Sequence, residues 1–322
     1  MTLFTIENQR FGWDEIAVAA EIWGEWQPFV ETVRQSLACF RLAEITRQMP
    51  TTAEIREAGN AFRYAHNLIS AEDARSWFAR WEMSIDNWMD YLSGQLLRDR
   101  WARRLKEIVA AYEISSSEVA VAIKSHAVCA GTLSEWAVRL AGRAAVAARS
   151  GGLFTGEPPA SGSPSDLVHR IETEYERQRL QTITPKLLET KIADHRIDWI
   201  RFDCRYLWFP EERIAREAAF CVKEDGLTMD ELAYDALGVV QEWNFYLDEI
   251  EAPARPHFLA ARRGDWLGPI RMMEGFPLFS VLAKTMPASD DPQIRERAEQ
   301  AITATLMNQA INEQVEWEGT LR

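Results

Sequence analysis

Covalent catalysis needs groups that move protons, share electrons or hold a metal, and this chain sets few of them at a useful spacing. The four cysteines, Cys39, Cys129, Cys204 and Cys221, form no Cys-x-x-Cys pair. Neither a dithiol redox centre nor a disulfide framework is expected from them. The five histidines, His66, His126, His169, His195 and His257, make no His-x-x-x-His or His-x-Glu pattern, so the usual zinc signature is missing. Acids do gather, at Asp230, Glu231 and Asp235 and again at Glu242, Asp248, Glu249 and Glu251. No base or metal spacing accompanies them, and solvated faces are the default reading. The sequence therefore assigns no catalytic residue, no metal and no cofactor.

The second half of the chain offers aromatic and apolar side chains in short, patterned runs. Tyr206-Leu207-Trp208-Phe209 closes an alternating stretch, and Trp266, Met272, Phe276 and Leu278 follow within one glycine-rich segment. Such residues bind by area and shape, the requirement of a groove for a peptide. Tyr206, Trp208, Trp266, Met272, Phe276 and Leu278 are side chains of this kind in the second half. Alternation along a strand puts Tyr206 and Trp208 on one face and Leu207 on the other, and likewise pairs Phe276 with Leu278. In the first half Trp77, Trp81, Trp88 and Trp101 recur at helical spacing and read mainly as core.

The elements that must hold these residues divide the chain in two. From residue 14 to about 148 the pattern is helical. Ile16, Ala19, Ala20, Trp23, Trp26, Phe29, Val30 and Val33 mark a first apolar face, and a separate second helix carries Leu37, Phe40, Leu42 and Ile45. Thr51 or Thr52, Ser70, Ser84, Ser115 and Thr132 sit where further helices should begin, most with an acid in the following turn. The stretch 151–164 is rich in Gly, Pro and Ser and reads as a linker. Helices follow over 166–194, then a strand over 199–209. A helix runs from Pro210 to Val222, with proline in its first turn. A short helix over 231–236, a strand over 243–249 and a helical turn over 258–261 come next. Strands over 270–273 and 278–283 and a last helix over 292–314 complete the order. The expected class is α+β: a helical domain over 1–150, a linker over 151–165, connecting helices over 166–197, a small mixed-sheet domain over 198–286, and a C-terminal helix and tail over 287–322.

The segment from Phe258 to Val281 resembles the closing region of parvulin-type peptidyl-prolyl isomerases. Gly264-Asp265, Gly268-Pro269 and Gly275-Phe276 stand in the register of that family's run, which closes on a Gly-aromatic-His motif. Tyr206-Leu207-Trp208-Phe209 is similar to the family's first strand, Ala215 to an early alanine of the next helix, and Gly226 to Ala233 to its Gly-x-x-Phe-x-x-Leu-Ala stretch. The family's central glycine-rich loop is missing, and Gly238 to Tyr246 spans that gap. Leu37 to Leu105 is similar to the helical domain of SurA-like chaperones, through Leu68-Ile69-Ser70 and Met83-Ser84 with Trp88.

The resemblance implies a parvulin-like fold with an altered site. Its two histidine positions fall on Tyr206 and Pro277 and its threonine position on Met272, which makes Tyr206, Trp208, Trp266, Met272, Phe276 and Leu278 the candidate peptide-binding residues that the resemblance implies. Lowering the ~18–20 kcal/mol barrier of a peptide bond needs polar groups at such positions, and none keeps its type. The resemblance thus implies a non-catalytic peptide-binding accessory protein, similar to those found with ribosomally made peptide natural products. Its partners would be a precursor peptide or unfolded segment, and modifying enzymes of the same pathway. A divergent but active isomerase and a homodimerising structural module are the alternatives.

Composition bears on partners as well. A formal charge of −13 over 322 residues, with no basic stripe, argues against nucleic acid. No apolar run approaches the ~18 residues of a membrane span, and the first residues carry early acids with no apolar h-region. A cytoplasmic location is the expectation.

Overall fold

A computed structural model describes residues 1–151, 153–154, 163–235, 238–273 and 275–318. The expected linker over 151–165 falls for the most part outside the described residues. The chain opens with strands β1 (Thr2–Ile6) and β2 (Gln9–Gly12). Helices α1 (Trp13–Ile22), α2 (Trp26–Thr46), α3 (Thr52–Ala65), α4 (Ala71–Arg80), α5 (Ile85–Arg100), α6 (Leu105–Ala111), α7 (Ser116–Cys129), α8 (Thr132–Ala148), α9 (Pro164–Thr182) and α10 (Pro185–Asp194) follow. Next come β3 (Arg201–Leu207), α11 (Glu212–Phe220), α12 (Met229–Asp235), β4 (Gln241–Tyr246), α13 (Arg255–Ala260), β5 (Trp266–Leu267) and β6 (Leu278–Thr285). The chain closes with α14 (Pro292–Gln314) and β7 (Val315–Trp317). The class is α+β. Two compact units form, one from residues 1–179 with 306–322, the other from residues 180–305.

In the first unit, reciprocal caps start several helices. Thr51, Ser70 and Ser115 each accept a hydrogen bond from the amide of the third helical residue, and Glu54, Asp73 and Glu118 bond back to the cap amide. Each such cap contributes about 1 kcal/mol. Helix α8 is covered on most sides, with Leu133, Trp136, Leu140, Ala141, Ala144 and Ala145 all nearly inaccessible. Its small side chains allow close approach: a Cβ at Gly142 would lie 2.6 Å from Met307 Cε.

Two features of this unit differ from the sequence reading. The apolar period from Trp26 to Thr46 is one helix of 21 residues, not two. The interruption comes earlier, at Gly24, whose φ of 74° ends α1. The helical half also carries a three-stranded sheet in the order β2-β1-β7, with Phe4 stacked on Phe11 at 4.6 Å. A four-residue strand and a three-residue strand have too few residues to show a period of two.

The second unit is built on a four-stranded antiparallel sheet in the order β4-β3-β6-β5. Strands β3 and β6 are neighbours: Tyr206 pairs with Phe279 and Leu207 with Leu278. Alternation sends the two faces to different cores. Phe202, Cys204, Phe245, Phe279 and Val281 face α13, while Leu207 and Leu278 face α11 and α12. A third cluster joins α10 to the start of α14 through Leu188, Ile192, Trp199, Ile294, Ala298 and Ile302.

Three expected elements change here. Residues 270–273 form no strand, only an isolated bridge from Met272 to Gly275. Pro269 brings no N–H to a ladder, and Gly275 at φ 151° turns the chain back at once. Pro210 lies before α11 rather than in its first turn, with Glu211 as the extended N-cap residue. The strand expected over 243–249 is β4 followed by a 3-10 turn at 247–249.

Candidate functional site

At the open end of the α13-facing sheet surface lies a concavity of about 370 Å³. Antiparallel register explains its lining. Tyr206 on β3 stands opposite Gln241 on β4 and Phe279 on β6, and Cys204 stands opposite Trp243. Residues 202, 204 and 206 therefore share a face with 241, 243 and 245 and with 279 and 281. Towards the inner end this face is closed by Phe258 of α13, which meets Phe202 at 5.4 Å and Phe279 at 5.1 Å. Towards the outer end the helix no longer reaches. Tyr206, Trp243 and Phe279 are left as an aromatic floor, with centroid separations of 5.7–6.2 Å. Trp208, just past the end of β3, and Met272 and Met273 form the walls.

The supports are specific. Lys284 Nζ donates to the carbonyls of Leu259 at 2.6 Å and Ala261 at 3.1 Å, tying α13 to β6. Arg297 holds Asp248 and Glu249 at 2.7–2.8 Å, which fixes the turn after β4. Arg205 pairs with Asp230 at 2.6 Å on the other side of the sheet. Three members of the acidic clusters thus serve in ion pairs, rather than as the merely solvated faces the sequence suggested. Gly275 permits the wall: a Cβ there would stand 2.6 Å from Phe209 O and 2.9 Å from Trp208 Nε1.

Polar groups at the concavity are few. The Tyr206 hydroxyl donates to the Gln241 side-chain oxygen. Glu251 accepts a 3.3 Å bond from the Met273 amide, and Glu242 completes the lining. The neighbouring thiol, Cys204, is 1% exposed and pushed up to about 12 by burial, with the Asp203 charge adding to it. It is a core group, not a nucleophile. Among the described residues no group of histidine, cysteine and carboxylate side chains could hold a metal ion.

Of the six residues singled out from the sequence, Tyr206, Trp208 and Met272 come together at this concavity. Leu278 and Phe276 do not. Leu278 is 2% exposed in the core against α11 and α12, and Phe276 packs on that same cluster. Period-two alternation from Tyr206 places its opposite number, Phe279, on the concave face and so turns Leu278 away. Trp266 lies apart on the edge strand β5, 36% exposed, opposite Ser280. Glu242, Trp243, Glu251, Met273 and Phe279 were not singled out. Trp243 and Phe279 could have been, from the β3–β4 and β3–β6 registers; Met273, 90% exposed, has no sequence signal.

No family model matches the sequence, and no curated protein matches it. Comparison with solved structures returns a peptidylprolyl isomerase, PrsA, from Bacillus anthracis, at 12% identity and a TM-score of 0.28. That match covers 68% of this chain and 96% of the other. PrsA from Bacillus subtilis follows at 10% identity and a TM-score of 0.24, covering 69% and 88%. A SurA-like chaperone of Campylobacter jejuni gives 8% identity and a TM-score of 0.22, covering 99% of both chains. Overlays this loose carry no argument about this chain, and its function rests on the site itself.

Proposed function

We propose that this chain is a non-catalytic peptide-binding protein that holds an extended segment against the aromatic end of its sheet. The observation that carries the reading is the open concavity of Tyr206, Trp208, Trp243, Met272 and Phe279, which has an aromatic floor and, beside Glu242 and Glu251 in its lining, neither a histidine nor a reactive thiol. Its volume suits one or two side chains of a peptide. Edge strand β4 runs beside it and, among the described residues, pairs only with β3. A client main chain could add along that free edge while its side chains enter the concavity. The client we favour is a ribosomally made precursor peptide that other enzymes modify, in keeping with the resemblance of Phe258–Val281. The alternative, an active prolyl isomerase, lacks support at the positions that the resemblance marks, now Tyr206, Met272 and Pro277.

A proline cis/trans assay on a short chromogenic peptide separates the two. The expected result is no acceleration above the uncatalysed rate. Acceleration that disappears in Tyr206→Phe, where only the phenol is lost, would overturn the non-catalytic reading.

A further inference from the structure

The first unit contains a cavity of about 460 Å³ where α2, α5 and α7 meet. Helical spacing builds it: Ser36, Leu37 and Phe40 from α2, Asp90 and Gly94 from α5, and Val121, Ala122, Ser125 and His126 from α7 all face one space. The volume lies in the range of sites for small organic molecules.

Two observations in it point to a ligand. Ser36 is 2% exposed, yet its Oγ has no hydrogen-bond partner among the described residues. A serine within a helix ordinarily satisfies its hydroxyl on the carbonyl four residues back or on water, and a buried hydroxyl left alone costs about 1–3 kcal/mol. Asp90 has no ion pair or hydrogen bond among the described residues, and the two charges that raise its carboxyl, Asp86 and Glu44, are also acids. Burial first, and those two carboxylates second, hold its carboxyl above the usual range. The other titratable lining groups add no free positive charge. His126 is pushed down to about 4, by burial and then by Arg98, and is neutral at pH 7. Glu118 is already engaged by Arg41 and by its own cap at Ser115. Arg98, outside the lining, donates to Gln95 at 3.0 Å but makes no ion pair among the described residues, and its charge acts on His126 rather than on Asp90.

The geometry points to a binding site for a small amphiphilic amine: an apolar body lies against Leu37, Phe40 and Ala122, and a protonated nitrogen meets Asp90 at the mouth. A polar atom near the ring end would reach Ser36 Oγ. The carboxylate selects the cation, and the enclosed apolar wall selects the body, so neither an alcohol nor an acid of the same shape is equivalent.

Three probes of one shape test this on the full chain: phenethylamine, phenethyl alcohol and phenylacetate, each titrated by saturation-transfer NMR. The amine is expected to bind at least roughly tenfold more tightly than either analogue, the scale of a charge-assisted hydrogen bond in a partly enclosed site. Asp90→Asn should remove that advantage and leave the alcohol unaffected. Val121→Arg places a cation at the mouth, on a side chain that is 85% exposed, and should weaken the amine alone. Both positions are exposed, so circular dichroism should be unchanged. Equal binding of the three probes, absence of amine binding at millimolar concentration, or indifference of the amine to both variants would overturn the site.

Discussion

Side-chain protonation in this molecule is governed more by burial than by catalytic pairing. His126 is the example whose shift bears on stability between pH 4 and 7. It is 6% exposed, packs edge-on against Tyr91 at 5.3 Å, and is pushed down to about 4. The unfolded chain takes up a proton near pH 6.5 while the folded chain does not until about pH 4. Between those values the unfolded state therefore binds more protons, and stability falls as pH falls. The effect is complete near pH 4, is absent above about pH 7, and amounts to about 3 kcal/mol at most. In urea unfolding at successive pH values, the stability difference between wild type and His126→Leu should shift by that amount, in favour of the variant, as pH drops from 7 to 4. A difference that stays constant with pH would show that the imidazole is not held neutral. Nothing in the sequence distinguished His126 from the other four histidines; its burial follows from helix packing that no local spacing encodes.

Turns and strand ends, rather than strand interiors, decide the shape of the proposed peptide site. Strands β3 and β6 were legible because alternation in Trp199–Phe209 and in Leu278–Ala283 is long enough to show a period of two. Helix starts were legible for a similar reason: Thr51, Ser70, Ser84 and Ser115 all cap as read. What escaped were short elements and pairing registers. The β2-β1-β7 sheet depends on a partner more than 300 residues away in sequence, Phe4 with Trp317, and the segment 270–273 has strand-forming side chains but a backbone set by its neighbours. Gly275 is the decisive neighbour. At φ 151°, with Phe209 O and the Trp208 indole within 3 Å of a virtual Cβ, Gly275→Ala is expected to cost about 2 kcal/mol or more. Urea unfolding should show this loss together with a changed tryptophan emission, because the indole must move. A fully stable variant with unaltered emission would mean that the turn has room the geometry denies.

At the scale of the whole chain, two features frame the account. The formal charge of −13 is large enough to bias encounters towards basic or neutral partners, and no helix of the described residues is long and apolar enough to cross a membrane. The α+β class was readable from composition and periodicity. The site was readable only by half, since Tyr206, Trp208 and Met272 converge while Leu278 and Phe276 turn to the opposite core. The central claim is that the concavity they form binds a peptide, and affinity tests it most directly. Nonapeptides that bind the full chain on an immobilised array, labelled with fluorescein and titrated in solution by anisotropy, provide the probe. Truncating an aromatic anchor of such a groove costs more than about 2 kcal/mol, so Trp208→Ala should weaken binding at least roughly tenfold, with circular dichroism unchanged. An affinity equal to wild type, or an array on which no peptide binds, would contradict the claim.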